Sequence, residues 1–206
     1  MKKFFKSLML ISVCLGLSAT VNAKTFRYAT TGDILGLDPH ANNEGPTNTM
    51  KGNIYGRMLH RKADLSLEPD LATKWEKLDA NTWRFSLRRG VKFHNGNNFN
   101  ADDVLFSYKR QTQEASDMSF ALATIKQINK VDDYTVDLIT KGPDPILLLN
   151  MPMFYIVDKE WIEANNAFEV VRASGSTNFA NVNTNGTGPF KVCLLYTSDA
   201  ADEAIG

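Results

Sequence analysis

Apolar and polar positions change their period several times along this chain, and each change marks an expected element. Residues 25–30 alternate and predict a strand. Residues 31–46 are rich in Gly, Asp, Asn and Pro and read as one long loop. Loops of that length inside a compact domain are often functional. Met50, Ile54 and Met58 are spaced for one helical face and predict a helix over 47–59. Residues 69–72 look like a short helical turn ahead of Trp75.

A clear strand starts at Asn81, with Trp83, Phe85 and Leu87 on one face and Thr82, Arg84, Ser86 and Arg88 on the other. Gly90 turns the chain, Val91 and Phe93 resume the alternation, and residues 95–98 form a second turn. Asn100 is a good N-cap, and Asp102 and Asp103 suit the first turn of the helix behind it. Val104, Leu105, Tyr108 and Thr112 give that helix one expected buried stripe. Residues 125–131 and 134–140 flank Asp132-Asp133 as a β-hairpin. A short helix is expected over 146–151, a buried strand over 154–157, and a helix capped by Asp158 through Trp161 and Ile162. Residues 173–185 read as a surface loop, and Gly186 to Phe190 lead into a last apolar strand. Mixed strands and helices with long connections predict an α/β or α+β protein.

The two ends stand apart from this pattern. Lys2, Lys3 and Lys6 precede an apolar stretch over 8–17 and the small-residue site Val21-Asn22-Ala23, the build of a secretory signal peptide cleaved after Ala23. A transmembrane helix needs about 20 apolar residues, and Gly16 and Ser18 break this run early. A lipid anchor on Cys14 fits less well, because Val13 is bulkier than the residue usual before a lipidated cysteine. At the other end, residues 193–206 resemble an in-frame translation of a transposase-type sequencing adapter, so the protein's own sequence is expected to reach only Val192 here. Both cysteines, Cys14 and Cys193, lie in these end segments. The segment between them is expected to depend on its core rather than on disulfides.

Composition narrows the function classes. With 43% apolar, 22% charged and 10% aromatic residues, the chain is neither a disordered tail nor a collagen-like repeat. Its 23 basic and 23 acidic side chains cancel, which gives no support for a nucleic-acid partner. His40, His60 and His94 match no metal-ligand spacing and read as turn or surface residues. Asp102-Asp103 and Asp132-Asp133 are adjacent pairs that do not face each other on a helix, so a capped helix start and a turn explain them. Gly186-Thr187-Gly188 lacks the Lys-Ser/Thr of a phosphate loop and reads as a tight turn. No G-x-S-x-G elbow appears. Catalytic residues, metal ligands and cofactors are all expected to be absent.

Several motifs together resemble the extracytoplasmic solute-binding proteins of peptide-type ABC transporters, solute-binding protein family 5. They are Leu37-Asp38-Pro39-His40, Leu67-Glu68-Pro69-Asp70-Leu71-Ala72 ahead of Trp75, and the run from Thr82 to Gly96. Phe99-Asn100-Ala101-Asp102-Asp103-Val104 with Ser107, Val131-Asp132-Asp133-Tyr134-Thr135-Val136, and Gly186-Thr187-Gly188-Pro189-Phe190 complete the set. Their order and spacing are right across nearly all of 24–192.

The resemblance implies an α/β fold of the periplasmic binding protein-like II type, a two-lobed clamp. Only part of lobe one (24–65, with a return over 181–192) and an accessory domain (about 66–180) would be present. It implies a periplasmic, monomeric, non-enzymatic binder that captures peptides and passes them to an inner-membrane ABC transporter permease. Some members instead take nickel complexes, haem, sugars or opines. An exported hydrolase on a similar scaffold is the alternative of a different class, and it would need a nucleophile–base pair or metal cluster. By resemblance, the loop carrying Asn43, Glu44, Gly45, Pro46 and Thr47 meets the ligand, and Glu44 pairs with a ligand amine. A solvated turn is the plain alternative. Phe120 is placed near the ligand on an accessory-domain loop, and core packing explains it equally well.

Overall fold

The computed structural model describes residues 32–172 and 177–193. The expected leader, the strand over 25–30 and most of the tail lie outside the described residues. No helix among the described residues is long and apolar enough to cross a membrane.

Helix α1 (Gly45–Ile54) comes first and is followed by a hairpin of β1 (Leu59–Arg61) and β2 (Leu67–Pro69). A four-stranded antiparallel sheet then forms from β3 (Ala72–Lys77), β4 (Thr82–Leu87), β5 (Ile125–Asp132) and β6 (Thr135–Thr140), in the order β3-β4-β6-β5. Strand β4 forms where the period-two pattern is cleanest, and Phe85 and Leu87 are buried as expected. The β5–β6 hairpin also forms as expected. Its turn is fixed by Asp132, whose side chain accepts from the Tyr134 N–H at 2.7 Å.

Helix α2 (Ala101–Gln111) joins the sheet to the rest of the chain. Asn100 and Asp103 form a reciprocal capping box at its start. On one side, Val104 packs with Phe85, Leu122, Val136 and Leu138 in the sheet's core. On the other, Phe106 joins Ile54, Tyr55, Met118, Tyr155, Val157 and Ile162 in a second cluster. The single expected stripe is therefore corrected: Leu105 and Tyr108 are half-buried and Thr112 is exposed, while Ser107, Arg110 and Gln111 are buried. A helix covered on two sides buries polar positions that an amphipathic pattern assigns to solvent.

The later elements are short: α3 (Leu147–Asn150), a 3₁₀ turn (Met151–Met153), α4 (Lys159–Ala164) behind its Asp158 cap, and α5 (Phe179–Val182). Helix α5 corrects the expected surface loop over 173–185. Asn178 caps it through another reciprocal pair with Asn181, and Ala180, Asn181 and Asn185 are buried.

Other expectations are also corrected. The first helix ends at Ile54 rather than Leu59, and its buried face is Thr47, Lys51 and Ile54. Glycines at 52 and 56 weaken the helix there, and beyond it Met58 bonds across to Phe154 and Ala72. Residues 69–72 are not helical: Pro69 and Ala72 belong to strands either side of a bend at 70–71, and the Leu71 and Ala72 N–H groups donate to Arg57 and Met58 carbonyls at 3.0 and 2.9 Å. Residues 154–157 are buried but form one isolated bridge, Arg57↔Tyr155, instead of a strand. The Val91–Phe93 segment likewise forms only the bridge Lys92↔Asn98.

Gly186 to Phe190 do not enter a strand either. They cross the C-terminal end of α1, where Gly188 N–H donates to the Ile54 carbonyl at 2.8 Å and Phe190 N–H to that of Asn53 at 3.2 Å. Phe190 is 62% exposed. The glycines are needed because a Cβ on Gly186 would lie 2.0 Å from the Ile54 oxygen, and one on Gly188 2.5 Å from the Asn53 oxygen. Gly186→Ala is therefore expected to cost at least about 1–3 kcal/mol, read as a lower urea midpoint with an unchanged slope.

Candidate functional site

The loop leading to α1 rests on a buried ion pair. Arg110 donates from Nη1 and Nη2 to the two carboxylate oxygens of Asp38 at 2.8 and 2.6 Å, and both side chains are fully buried. The guanidinium also donates to the Ala167 carbonyl from Nε and Nη2, and to His40 Nδ1 at 3.0 Å. His40 Nε2 faces the Tyr155 carbonyl at 3.0 Å, so the ring carries its proton on Nε2 and accepts at Nδ1. Burial and the Arg110 charge push His40 down to about 3, so it stays neutral. Burial opposes the charge on Asp38, but the hydrogen bonds and charge of Arg110 outweigh it and hold the carboxyl low. His40 thus sits in a turn, as expected, but it is buried there rather than at the surface.

This platform carries the five loop residues expected to meet a ligand, and the structure gathers them at one helix start. Glu44 is the N-cap of α1, and its Oε1 accepts from the Thr47 N–H at 3.1 Å. Gly45 and Pro46 form the first turn, where proline costs no hydrogen bond. The Asn43 side-chain oxygen accepts from the Asn48 amide at 2.7 Å, and Asn43 is exposed. Thr47 turns inward: it is buried, and its hydroxyl accepts from the Leu35 N–H at 3.0 Å.

Phe120 sits on a 3₁₀ turn (Ser119–Leu122) and is 49% exposed, so it is not a core residue. It lines an open cavity of about 260 Å³ with Tyr108, Thr112 and Lys141. The segment before it is tied to the loop, since Asp117 N–H donates to the Ala41 carbonyl at 3.2 Å and Ser116 Oγ to that of His40 at 2.7 Å.

Lys51 was missed by the sequence reading. It lies one turn past Thr47 on the buried face of α1 and is 1% exposed. Its ammonium donates to the Asn42 carbonyl. Burial pushes Lys51 down to about 8, against the opposing pull of Asp38, Glu44 and Asp117. The signal was the spacing Thr47, Lys51, Ile54, which an apolar pattern passes over.

A second polar cluster is structural. Asp103, Asp158 and Glu160 bring carboxylate oxygens within 4.8 Å of one another. Asp158 Oδ2 accepts from the side-chain amides of Asn95, Asn97 and Asn185, each at 2.8 Å, and Oδ1 from the Trp161 N–H. Asp103 accepts from the Asn100 and Lys159 N–H groups. Protein donors thus satisfy both aspartates without a cation. Burial, with Glu160 and Asp158 nearby, pushes Asp103 up to about 7.

Residues 66–193 match the model of the bacterial extracellular solute-binding proteins, family 5 middle region. The chain belongs to this family. The family 5 chain is 31% identical to the dipeptide-binding protein of Escherichia coli, over 87% of its length and 37% of that relative. It is 32% identical to heme-binding protein A of Haemophilus influenzae, over 88% and 36% of the two chains. The DppA periplasmic binding protein of Helicobacter pylori in complex with the peptide STSA superposes with a TM-score of 0.67 at 29% identity, covering 80% and 36%. MoaA from A. tumefaciens R10 in complex with mannopinic acid gives 0.66 at 30% identity, covering 78% and 32%. The fold is thus part of a periplasmic binding protein, as the motif resemblance implied, and the chain spans about a third of these relatives. The relatives are binding proteins rather than enzymes.

Two outcomes test the site's electrostatics. Arg110→Met strands the Asp38 charge and should cost about 3–5 kcal/mol, while Asp38→Leu with Arg110→Met should recover much of that loss in the same denaturant titration. Asp103 holds its proton in the folded protein at pH values where the unfolded chain has lost it. Stability should therefore fall as pH rises from about 4 to about 7. Asp103→Asn should flatten that slope in urea midpoints taken across the window.

Proposed function

We propose that the full-length protein is the substrate-binding component of an ABC importer, exported by a signal peptide cleaved after Ala23 and working as a periplasmic monomer. It captures di- or oligopeptides, performs no catalysis and delivers them to an inner-membrane permease. In this reading, residues 24–65 and 181–192 belong to lobe one and about 66–180 to the accessory domain. The observation that carries it is the likeness, at 29% identity over 80% of the chain, to a binding protein holding the peptide STSA. The dipeptide-binding relative from Escherichia coli points the same way.

The geometry supports this reading. A binder of varied peptides needs outward polar groups that meet ligand backbone and termini, fixed on a base that does not give. The Asn43 amide, the second carboxylate oxygen of Glu44 and the Gly45 N–H have no partner among the described residues, and all three sit on the buried Asp38–Arg110 platform. Glu44 is positioned to take a ligand ammonium while Oε1 keeps its capping bond. Gly45, Pro46 and Thr47 hold the shape of the turn, and Phe120 offers an exposed ring on the 3₁₀ turn that follows the Ser116–Asp117 tie to the loop. A non-peptide solute (haem, an opine, a sugar or a nickel complex) is the second reading, favoured by the haem-binding and mannopinic-acid-bound relatives.

Calorimetry on full-length protein separates the two. Dialanine and trialanine should give saturable heats, whereas haemin, mannopinic acid and nickel-histidine should not. Saturation by one of the latter with none by peptides would overturn the peptide reading. Glu44→Gln keeps the cap but removes the charge. It should weaken trialanine binding about tenfold or more, from the loss of one charge-assisted bond, and leave N-acetyl-trialanine unaffected.

A further inference from the structure

The backbone of the loop is tied on both sides of Asn42. Ala41 is held through its carbonyl by Asp117, and Glu44 caps α1. Between them, the Asn42 carbonyl is held by the Lys51 ammonium alone among the described residues. Asn42 is itself buried, and its side-chain oxygen has no partner there. The Lys51 stem runs under the turn along the face that also carries Thr47 and Ile54.

We propose that Lys51 is the positioning residue of the solute-binding turn Asn42–Glu44, and that the proton on its amine sets how firmly the turn is held. This rests on the reading of that turn as part of the solute site. The turn has two limiting states. With the turn down, Lys51 is out of water. With the turn lifted, its amine is solvated.

A buried amine disfavours its charge, while a solvated one keeps it to much higher pH. Lifting the turn therefore takes up a proton, and raising the pH favours the turn held down. The neutral amine still has N–H groups to give the Asn42 carbonyl, so the tie survives deprotonation. The charged groups around the amine are Asp38 and His40 on the incoming loop, Glu44 at the cap, Asp117 beyond α2, and Arg110 from α2. His40 is neutral, and Asp38, although paired with Arg110, is the largest of the carboxylates that favour the charged form, followed by Glu44 and Asp117. Their pull is smaller than the burial that opposes it, since Lys51 is lowered from 10.5 to about 8.

The test is hydrogen–deuterium exchange of the Thr47 and Asn48 amides, both bonded to Glu44, in full-length protein, corrected for intrinsic rates, from pH 6.5 to 9.5. Protection in the wild type should rise about tenfold between pH 7 and pH 9 by linkage across that shift. Lys51→Arg, which stays charged, and Lys51→Met, which never is, should both show flat profiles. Flat or falling protection in the wild type overturns the proposal, and so does a rise that persists in Lys51→Arg. The ratio of trialanine affinities, wild type over Lys51→Met, cancels the peptide's own titration and should climb with pH by no more than the fall in the lifted fraction allows. Protection that rises while trialanine fails to bind at any pH supports Lys51 as the positioning group and sinks the peptide reading instead.

Discussion

The described structure depends on one buried contact, the bidentate pair between Asp38 and Arg110. Neither group can be left alone out of water, because an unpaired buried charge costs several kcal/mol. The incoming loop must therefore pass where the Arg110 fork points, and α2 must present that fork at its last turn. His40 and the Ala167 carbonyl take the remaining donors, so three segments distant in sequence meet at one guanidinium. Such a pair need not add stability over an apolar replacement. What it adds is geometry, since a planar fork accepts its partners in few arrangements.

That geometry explains why α2 is buried on both sides. Its sheet-facing side is ordinary core, with Val104 against Phe85 and Leu138. Its other side carries Ser107, Arg110 and Gln111, which bond to Val157, Asp38 and the Met118 and Met153 carbonyls. The irregular segments over 154–157 and 116–118 have no full ladder, and backbone partners satisfy only some of their groups, as at Phe154 and Ile156. Side chains from α2 supply further bonds at Val157 and Met118, as buried backbone requires. The helix acts as a polar rack as much as an apolar one.

The parts of this fold legible in the sequence are those decided locally. Strand β4, the β5–β6 hairpin and the capped start of α2 each follow from neighbours within a few residues, and each formed where it was expected. The misreadings share the opposite property. Residues 69–72 have helical-turn composition, yet bonds to Arg57 and Met58 hold them as a bend between two strands. Residues 154–157 have strand-like composition, yet no neighbour offers a ladder. The candidate site divides the same way. Glu44 before Gly45-Pro46 is a local capping signal, whereas Asp38 and Arg110 are 72 residues apart and Lys51 is a cation on a buried face. Hydrophobicity patterns assign such residues to water, and only the tertiary partner reverses that assignment.

The returning segment shows how steric and polar constraints can agree. Gly186 and Gly188 bring their backbone against the end of α1 at a distance no side chain allows. His94 then grips the same two residues from the other side, with Nε2–H donating to the Gly188 carbonyl at 2.8 Å and Nδ1 accepting from the Gly186 N–H at 3.3 Å. Thr187 Oγ1 accepts from the Gly56 N–H between them. One neutral tautomer and one glycine spacing satisfy all of these contacts, so a slip of even one residue would break them together. The crossing is therefore fixed by many mutually dependent contacts. In the Asn42–Glu44 turn the Asn42 carbonyl is held by a single lysine, and an adjustable element belongs where ties are few.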